Sequence, residues 1–402
     1  MATNALEGAK VLEFAEFVSG PFCAKLLADL GAEVIKVERP LVGDSARRKG
    51  PFPQDIPHSE RSGLFLYLNT NKKGISLDVG TALGKRIFLK LVQWADILIE
   101  DHLPQEMEEM GLTYGALREV NPRLVMTSIT PYGQTGPYAN YRAYNLNTFH
   151  AGGEGYTTPS GSVDVDREPL KAGGYLADYD CGFSAGVATL AARLAQVTMG
   201  IGQHVDVSKQ EAMMAIQRVE LSNYPNDGQY STRGMRTGPI GGLLPCKDGY
   251  VMVTAAENHQ WLALMDFLGN PEWSQAQHWK DEMYRSRHAA EIQPKLEEAI
   301  RQYTKEEIYH GAQAKGCPIG IVYDAEDIFN STQLRAREFF CEVEHPEVGR
   351  LKYPTVPYIF SKTPAEIKSP APLLGQHNEA VLCDLLGYSR QDLVKMRQAG
   401  IV

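Results

Sequence analysis

The 402-residue sequence carries a formal net charge of −9, with 43% hydrophobic and 22% charged residues, ordinary values for a globular chain long enough for two or three domains. Acid in excess and no basic tail exclude the footprint of a nucleic-acid binder, and no run approaches the ~18 uninterrupted apolar residues of a membrane helix. The opening MATNALEGAKVLEF has no basic stretch followed by a long apolar one, so a cytoplasmic protein without membrane or nucleic-acid partners is expected.

Residues 8–38 spell a βαβ unit. KVLEF reads as a buried strand, AEFVSGP as a turn, Phe22 to Leu30 as a helix, Gly31 as its C-terminal stop and EVIKVE as a second strand. The alternation continues through ISLDV, the helical TALGKRIFLKLVQWAD, the strand ILIED, a short helix before Asn121 and the strand LVMTSIT. This predicts an α/β fold around a parallel sheet. Ligands of such folds sit beyond the carboxyl ends of the strands, which points to Ala15–Gly20, Arg39–Arg48, Asp101–Leu103 and Thr130–Gly136. Arg39, Arg47, Arg48, Lys72 and Lys73 gather positive charge there and together suit phosphates. Glu38 ends the second strand, where an NAD-binding dehydrogenase keeps its ribose acid. The first turn argues against that reading, because AEFVSGP offers one glycine where the dinucleotide fingerprint needs three.

The loop YGQTGPY, then Arg142, Tyr144 and Asn145, and the Gly-rich AGGEGYTTPSG lead into residues 171–210, KAGGYLADYDCGFSAGVATLAARLAQVTMGIGQHVDVSKQ. From Gly182 to Val197 this stretch is apolar and small nearly all round, with one charge at Arg193, and predicts a helix sheathed by other structure. Asp178 and Asp180 are expected just before it, where backbone N–H groups lack partners and the helix dipole favours an anion. An acid there is ordinarily an N-cap, contributing about 0.5–2 kcal/mol over alanine. Small residues from Cys181 to Gly186 let another backbone, or a flat ligand, come close. Cys181 is also weighed as a nucleophile, since a thiol at a helix start can have a lowered pKa, against simple packing of a small residue. Cys23, Cys181, Cys246, Cys317, Cys341 and Cys383 show no CxxC spacing and His310, His345 and His377 stand alone, which predicts reduced thiols and no metal site.

Beyond Gln210 a helix ends in the turn-rich SNYPNDGQYSTRGMRTGPIGG, the expected domain boundary. A smaller unit follows, with a strand at YVMVTAA, an amphipathic NHQWLALMDFLG, a helix opened by a Thr304 and Glu307 capping box, and a close near PIGIVY. From about Asp324 the chain becomes extended and Pro-rich through KYPTVPYIFSKTPAEIKSPAPLLG, with a short helix before Gly387 and a last helix toward Gly400.

In this order, LEGAKVLEF, SGPFCAKLLADLGAEVIKVERP with GDSARR, SGLFLYLNTNKKGISLD, YGQTGPYANY, ADYDCGFSAG, GIGQHVDVSKQEA, PCKDGYV, GCPIGIVYDAEDI and PLLGQHNEAVLCDLLGY resemble the class III CoA-transferase family, whose members include formyl-CoA, carnitine and succinyl CoA-transferases. The resemblance implies a Rossmann-like large domain built from both chain ends, here 1–221 and 325–402, joined by a linker over 222–240 to a smaller α/β middle domain over 241–324. It also implies a homodimer of two interlocked chains. No tightly bound cofactor is implied: coenzyme A and acyl-CoA are substrates, exchanged with a free carboxylic acid.

The family's single catalytic aspartate falls on Asp178, with Asp180 as the fallback if the register slips by two. By similarity CoA meets Val18, Ser19, Arg39, Leu77, Asp78, Val79, Asp101, His102, Leu103, Arg142, Ala143, Tyr144 and Asn145, with Asn145, Tyr144, Gly241 and Gly242 in supporting roles. The sequence departs from the formyl-CoA branch at Val18, Asn145 and Glu109, where that branch has a glutamine, an acid and an arginine, and its glycine run is reduced to Gly241 and Gly242. These departures point away from oxalate and formate. The family's α-methylacyl-CoA racemases are the sharper competitor, and their catalytic histidine position is Tyr144 here, a poor base at neutral pH with an ordinary pKa near 10. A non-catalytic CoA-binding module is the third class.

Overall fold

The computed structural model describes residues 4–159, 166–216, 218–230, 232–233, 241–255 and 257–402. They divide into two compact units, one made of the chain up to Arg233 together with Glu338–Val402, the other spanning Gly234–Arg337. The expected linker over 222–240 lies partly outside the described residues, and the second unit runs past the expected boundary at 324.

Six parallel strands form the sheet of the first unit: β1 (Lys10–Phe14), β2 (Glu33–Glu38), β3 (Lys72–Ser76), β4 (Ile97–Glu100), β5 (Val125–Thr130) and β6 (Gln203–Ser208), in the order β3-β2-β1-β4-β5-β6. This is the Rossmann order, and its direction reverses between β1 and β4, which opens a crevice beyond their carboxyl ends. KVLEF and EVIKVE form strands at their expected residues. ISLDV does not: β3 begins at Lys72 and ends at Ser76, leaving Leu77, Asp78 and Val79 beyond the ladder. The shift follows from charge pairing, because Lys72 is fully buried against Glu13 of β1 at 2.7 Å and so enters the strand. HVDVS, read as part of the long stretch, closes the far edge of the sheet as β6.

Helices cover both faces of the sheet. On one, Leu12, Ile35, Ile75, Leu98 and Met126 pack against Ile87, Phe88 and Leu91 of α2 (Ala82–Trp94) and against Val381, Leu382, Leu393 and Met396 near the C-terminus. On the other, Val11, Ile97, Ile99, Val125 and Ile129 meet α1 (Ser19–Asp29) and the small face of the long helix Leu176–Met199 through Cys23, Ala24, Leu27, Cys181, Ala185 and Ala192. Glycines make this approach possible. A Cβ on Gly182 would lie 2.6 Å from the Ser19 carbonyl oxygen, and one on Gly20 would lie 2.3 Å from Ala15 Cβ.

The C-terminal segment belongs to this unit, as expected. His377 N–H donates to Gly74 O at 2.9 Å, Ser76 N–H donates to Asn378 Oδ1 at 2.9 Å, and Asp78 N–H donates to Ile401 O at 2.8 Å. The outer edge of β3, otherwise open to strand pairing, is thereby occupied.

The long helix departs from expectation at two points. It begins at Leu176, with Tyr175 at its N-cap, so Asp178 and Asp180 lie inside it rather than before it. It is also sheathed on one face only: Phe183, Val187, Leu194 and Val197 stay 52%, 58%, 64% and 60% exposed. Small residues recur on the face that meets α1, and the bulky residues at 183, 187, 194 and 197 fall on the opposite side of a 3.6-residue period.

In the second unit, β7 (Gly241–Cys246), β8 (Gly249–Thr254) and β9 (Ile319–Ile321) form an antiparallel sheet around Trp261, Leu264, Leu296 and Ile308. Thr304 and Glu307 form the expected capping box of the helix Lys305–Lys315. Among the described residues, no helix is long and apolar enough to cross a membrane.

Candidate active site

The turn after β1 builds one wall of the crevice without glycine-lined backbone. Glu16 N–H donates to both oxygens of Asp101, at 3.2 and 3.0 Å, and Phe17 N–H donates to Asp44 Oδ1 at 2.9 Å. Phe17 sits at φ 70°, a strained position for a bulky side chain and held here by its neighbours. The backbone donors that a dinucleotide pyrophosphate would need are occupied by carboxylates. Glu38, the ribose acid of the dehydrogenase reading, is buried and paired with Arg47 at 2.7 Å.

Beyond the strand ends lie two cavities of about 560 and 550 Å³, which share Glu16, Arg39, His102 and Glu106 in their walls. Arg39, Asp101, His102, Leu103, Arg142, Ala143, Tyr144, Asn145, Asp178 and Lys209 line the first. Leu77, Asp78, Val79, Glu109 and Gly400 line the second. The resemblance-based residues of the first unit therefore come together, with Val18 as the exception. Val18 is fully buried beside Phe65 and Leu68, and its side chain lines neither cavity. Ser19 is buried too, its hydroxyl turned onto Asp178. Gly241 and Gly242 belong to the second unit, at the start of β7, with φ of 124° and 78°.

The cluster of strand-end cations dissolves in the same way. Arg39 is 73% exposed and lines both cavities. Arg47 and Lys72 are fully buried and paired with Glu38 and Glu13, Lys73 pairs with Glu33, and Arg48 donates to Val42 O at 2.9 Å. A charge inside a fold needs a partner, and sequence position says nothing about where that partner is.

Asp178 is 1% exposed in the first turn of its helix. Its Oδ1 accepts from Ser19 Oγ at 3.1 Å and from Lys209 Nζ at 2.8 Å. Among the described residues no donor reaches Oδ2. Asn145, the first residue of the helix Asn145–Ala151, faces the helix start: with its amide turned so that the oxygen meets the backbone donors, it accepts from Ala177 N–H and Asp178 N–H, each at 3.1 Å. A side chain from a separate helix thus supplies the cap that Tyr175 lacks.

Lys209 joins the site because it directly follows the carboxyl end of β6; a cation directly after a strand end is the signal in the sequence that marks it. Burial alone would lower its pKa, but the Asp178 carboxylate raises it above the ordinary value. Asp101 is pushed up to about 7 by desolvation, with His102 and Lys209 opposing the rise. Burial also works against a charged His102, yet Glu100 and Asp101 raise its pKa, and its ring stacks on Phe14 at 4.2 Å. Desolvation drives the Cys181 thiol up to about 12, so it is neutral and a weak nucleophile at physiological pH. Asp180 lines neither cavity, and burial raises its pKa. Among the described residues no cluster of three or more His, Cys, Asp or Glu side chains is placed to hold a metal.

Compared with known proteins, the chain matches the model of CoA-transferase family III over residues 6–378. It is 34% identical to proteins named formyl-CoA:oxalate CoA-transferase from Escherichia coli O6:H1 and Shigella sonnei, over 98% of this chain and 98% of each relative. Among solved structures it resembles a CAIB/BAIF family protein from Brucella suis, with TM-score 0.85, 28% identity and coverage of 96% of this chain and 100% of the other. A hypothetical protein from Mycobacterium tuberculosis aligns with TM-score 0.80 and 26% identity, over 94% of this chain and 99% of its own.

Proposed function

The chain belongs to CoA-transferase family III, and from that premise we propose that it moves CoA from an acyl-CoA to a free carboxylic acid with Asp178 as the nucleophile. The observation that carries this reading is a carboxylate at a cavity wall whose two donors both fall on Oδ1, leaving Oδ2 to attack.

Asp178 Oδ2 adds to the thioester carbonyl and the C–S bond breaks, giving a mixed anhydride and CoA thiolate. The thiolate attacks the aspartyl carbonyl, releases the donor acid as its carboxylate and leaves an aspartyl-CoA thioester. The acceptor carboxylate opens that thioester to a new anhydride, and the thiolate then attacks the acceptor's acyl carbon and frees Asp178. Dividing the exchange into covalent steps lowers each barrier. The helix start favours the anionic carboxylate, and Asn145 occupies two N–H groups of that turn, so the first turn is fixed before substrate arrives. The two cavities suit a long substrate: Arg39 and the Leu77–Val79 turn would hold its phosphate end, and the thioester would reach Asp178.

A homodimer is part of the same reading, supported by the apolar stripe of Phe183, Val187, Leu194 and Val197 left open on a single chain. Six free cysteines accord with a reducing compartment such as the cytoplasm. The test is incubation with formyl-CoA, acetyl-CoA or succinyl-CoA and a pool of carboxylic acids that includes oxalate, followed by mass spectrometry of the CoA esters. Hydroxylamine should trap Asp178 as a hydroxamate during turnover, and Asp178→Asn should abolish exchange while CoA still binds. Near-normal turnover by that variant, or solvent deuterium entering the α-carbon with no adduct, overturns the reading.

A further inference from the structure

Lys209 opens the helix Lys209–Ile216 immediately after β6, and its side chain is 13% exposed at the wall of the larger cavity. Among the described residues its ammonium donates to one acceptor, Asp178 Oδ1. The other acid in reach of its field is Asp101, on the same cavity wall, whose oxygens are both engaged by Glu16 N–H. In the resting protein the pair Asp178 and Lys209 is neutral.

Acylation breaks that balance. Once Asp178 is an anhydride or a thioester its carboxyl carries no charge, and the ammonium loses the carboxylate that offset the cost of its burial. A desolvated cation without a counter-ion is strongly unfavourable, and two of its three N–H donors are already without a partner among the described residues. The group that the reaction must bring in next is an anion of the same kind that has just been lost: the carboxylate of the acceptor acid.

Resting on the transferase reading above, we propose that Lys209 is the acceptor-binding residue, holding Asp178 Oδ1 in the free enzyme and the incoming carboxylate once Asp178 is acylated. One ammonium serves two carboxylates in turn, so the acceptor site forms only after the donor has reacted. Its geometry also sets the approach: an acid held at the Nζ that neighbours Asp178 has its oxygen beside the aspartyl carbonyl it must attack. Acids presenting a compact, fully ionised carboxylate are the favoured class, and amides or esters of the same acids should not compete.

Lys209→Met keeps the stem and removes the charge; Lys209→Arg keeps the charge. With a donor that wild type accepts, Lys209→Met should still form the hydroxylamine-trappable Asp178 adduct from acyl-CoA alone. Its KM for the acceptor acid should rise about 10- to 100-fold, the loss of one charge-assisted hydrogen bond, with KM for acyl-CoA within about 2-fold. Lys209→Arg should recover most of the acceptor affinity. An unchanged acceptor KM in folded Lys209→Met overturns the proposal, as does loss of adduct formation from acyl-CoA alone, which would make Lys209 a group that only positions Asp178. Failure of wild type itself to form an adduct with formyl-CoA, acetyl-CoA or succinyl-CoA is a different result, and it removes the transferase reading together with this one.

Discussion

Replacing Arg47 by methionine tests whether this arginine serves the fold or the ligand. Its guanidinium is fully buried, donates to Glu38 at 2.7 and 2.8 Å, pairs with Glu60, donates to Pro372 O at 3.1 Å, and lies 3.6 Å from the centre of the Phe65 ring. Methionine fills a similar volume but leaves the Glu38 carboxylate buried with one remaining donor of note, Asp44 N–H at 3.0 Å. Removing one partner of a buried pair costs about 3–5 kcal/mol, a large part of a domain's about 5–15 kcal/mol. At about 1.6 °C per kcal/mol for a unit of about 300 residues, Tm should fall by about 5–8 °C. Adding Glu38→Gln to Arg47→Met should restore much of that loss, since the stranded charge disappears with its partner. Differential scanning calorimetry measures the Tm, and titration calorimetry with CoA well below it measures affinity, which should match wild type. Arg39→Ala is the contrast: an exposed residue at both cavities, it should weaken CoA binding and leave stability within about 0.5 kcal/mol. An Arg47→Met protein with wild-type Tm and weakened CoA binding would refute the assignment of this side chain to the fold.

Two further outcomes follow from the site. Asn145→Ala removes the cap on Ala177 and Asp178 and should cost about 0.5–2 kcal/mol, read by urea titration; unchanged stability would mean water replaces the amide oxygen without loss. Asp101 has its folded pKa raised to about 7 against about 3.9 when unfolded, so the native state binds the extra proton between those values. Its contribution is therefore present at low pH and is lost as pH rises toward 7. Asp101→Asn mimics the protonated acid and still accepts from Glu16 N–H, so its Tm advantage over wild type should be small at pH 4.5 and larger at pH 8. An equal gap at both pH values would show that Asp101 is not held protonated by the fold.

Local pattern was enough for much of the scaffold. KVLEF and EVIKVE are short, largely apolar runs bounded by a turn and by Gly31, the pattern of a buried strand; the strand ends then point to the crevice, and Arg39, Asp101, His102 and Leu103 line it. The small residues around Gly182 announced a close approach, and the backbone that comes close is the Ser19 carbonyl. Pattern could not assign partners. Arg39 and Arg47 look alike in the sequence, yet one faces the cavity and the other is enclosed with Glu38; Lys72 looks like a ligand charge and is a buried strand residue. Lys209 reaches Asp178 across 31 positions, and Asn145 caps a helix that begins 31 residues after it. Hydrophobic periodicity acts between neighbours on one element, so it survives in a linear string. Charge pairing, capping from another helix and the walls of a cavity join residues from separate strand ends, and their distances exist only once the sheet has brought those ends together.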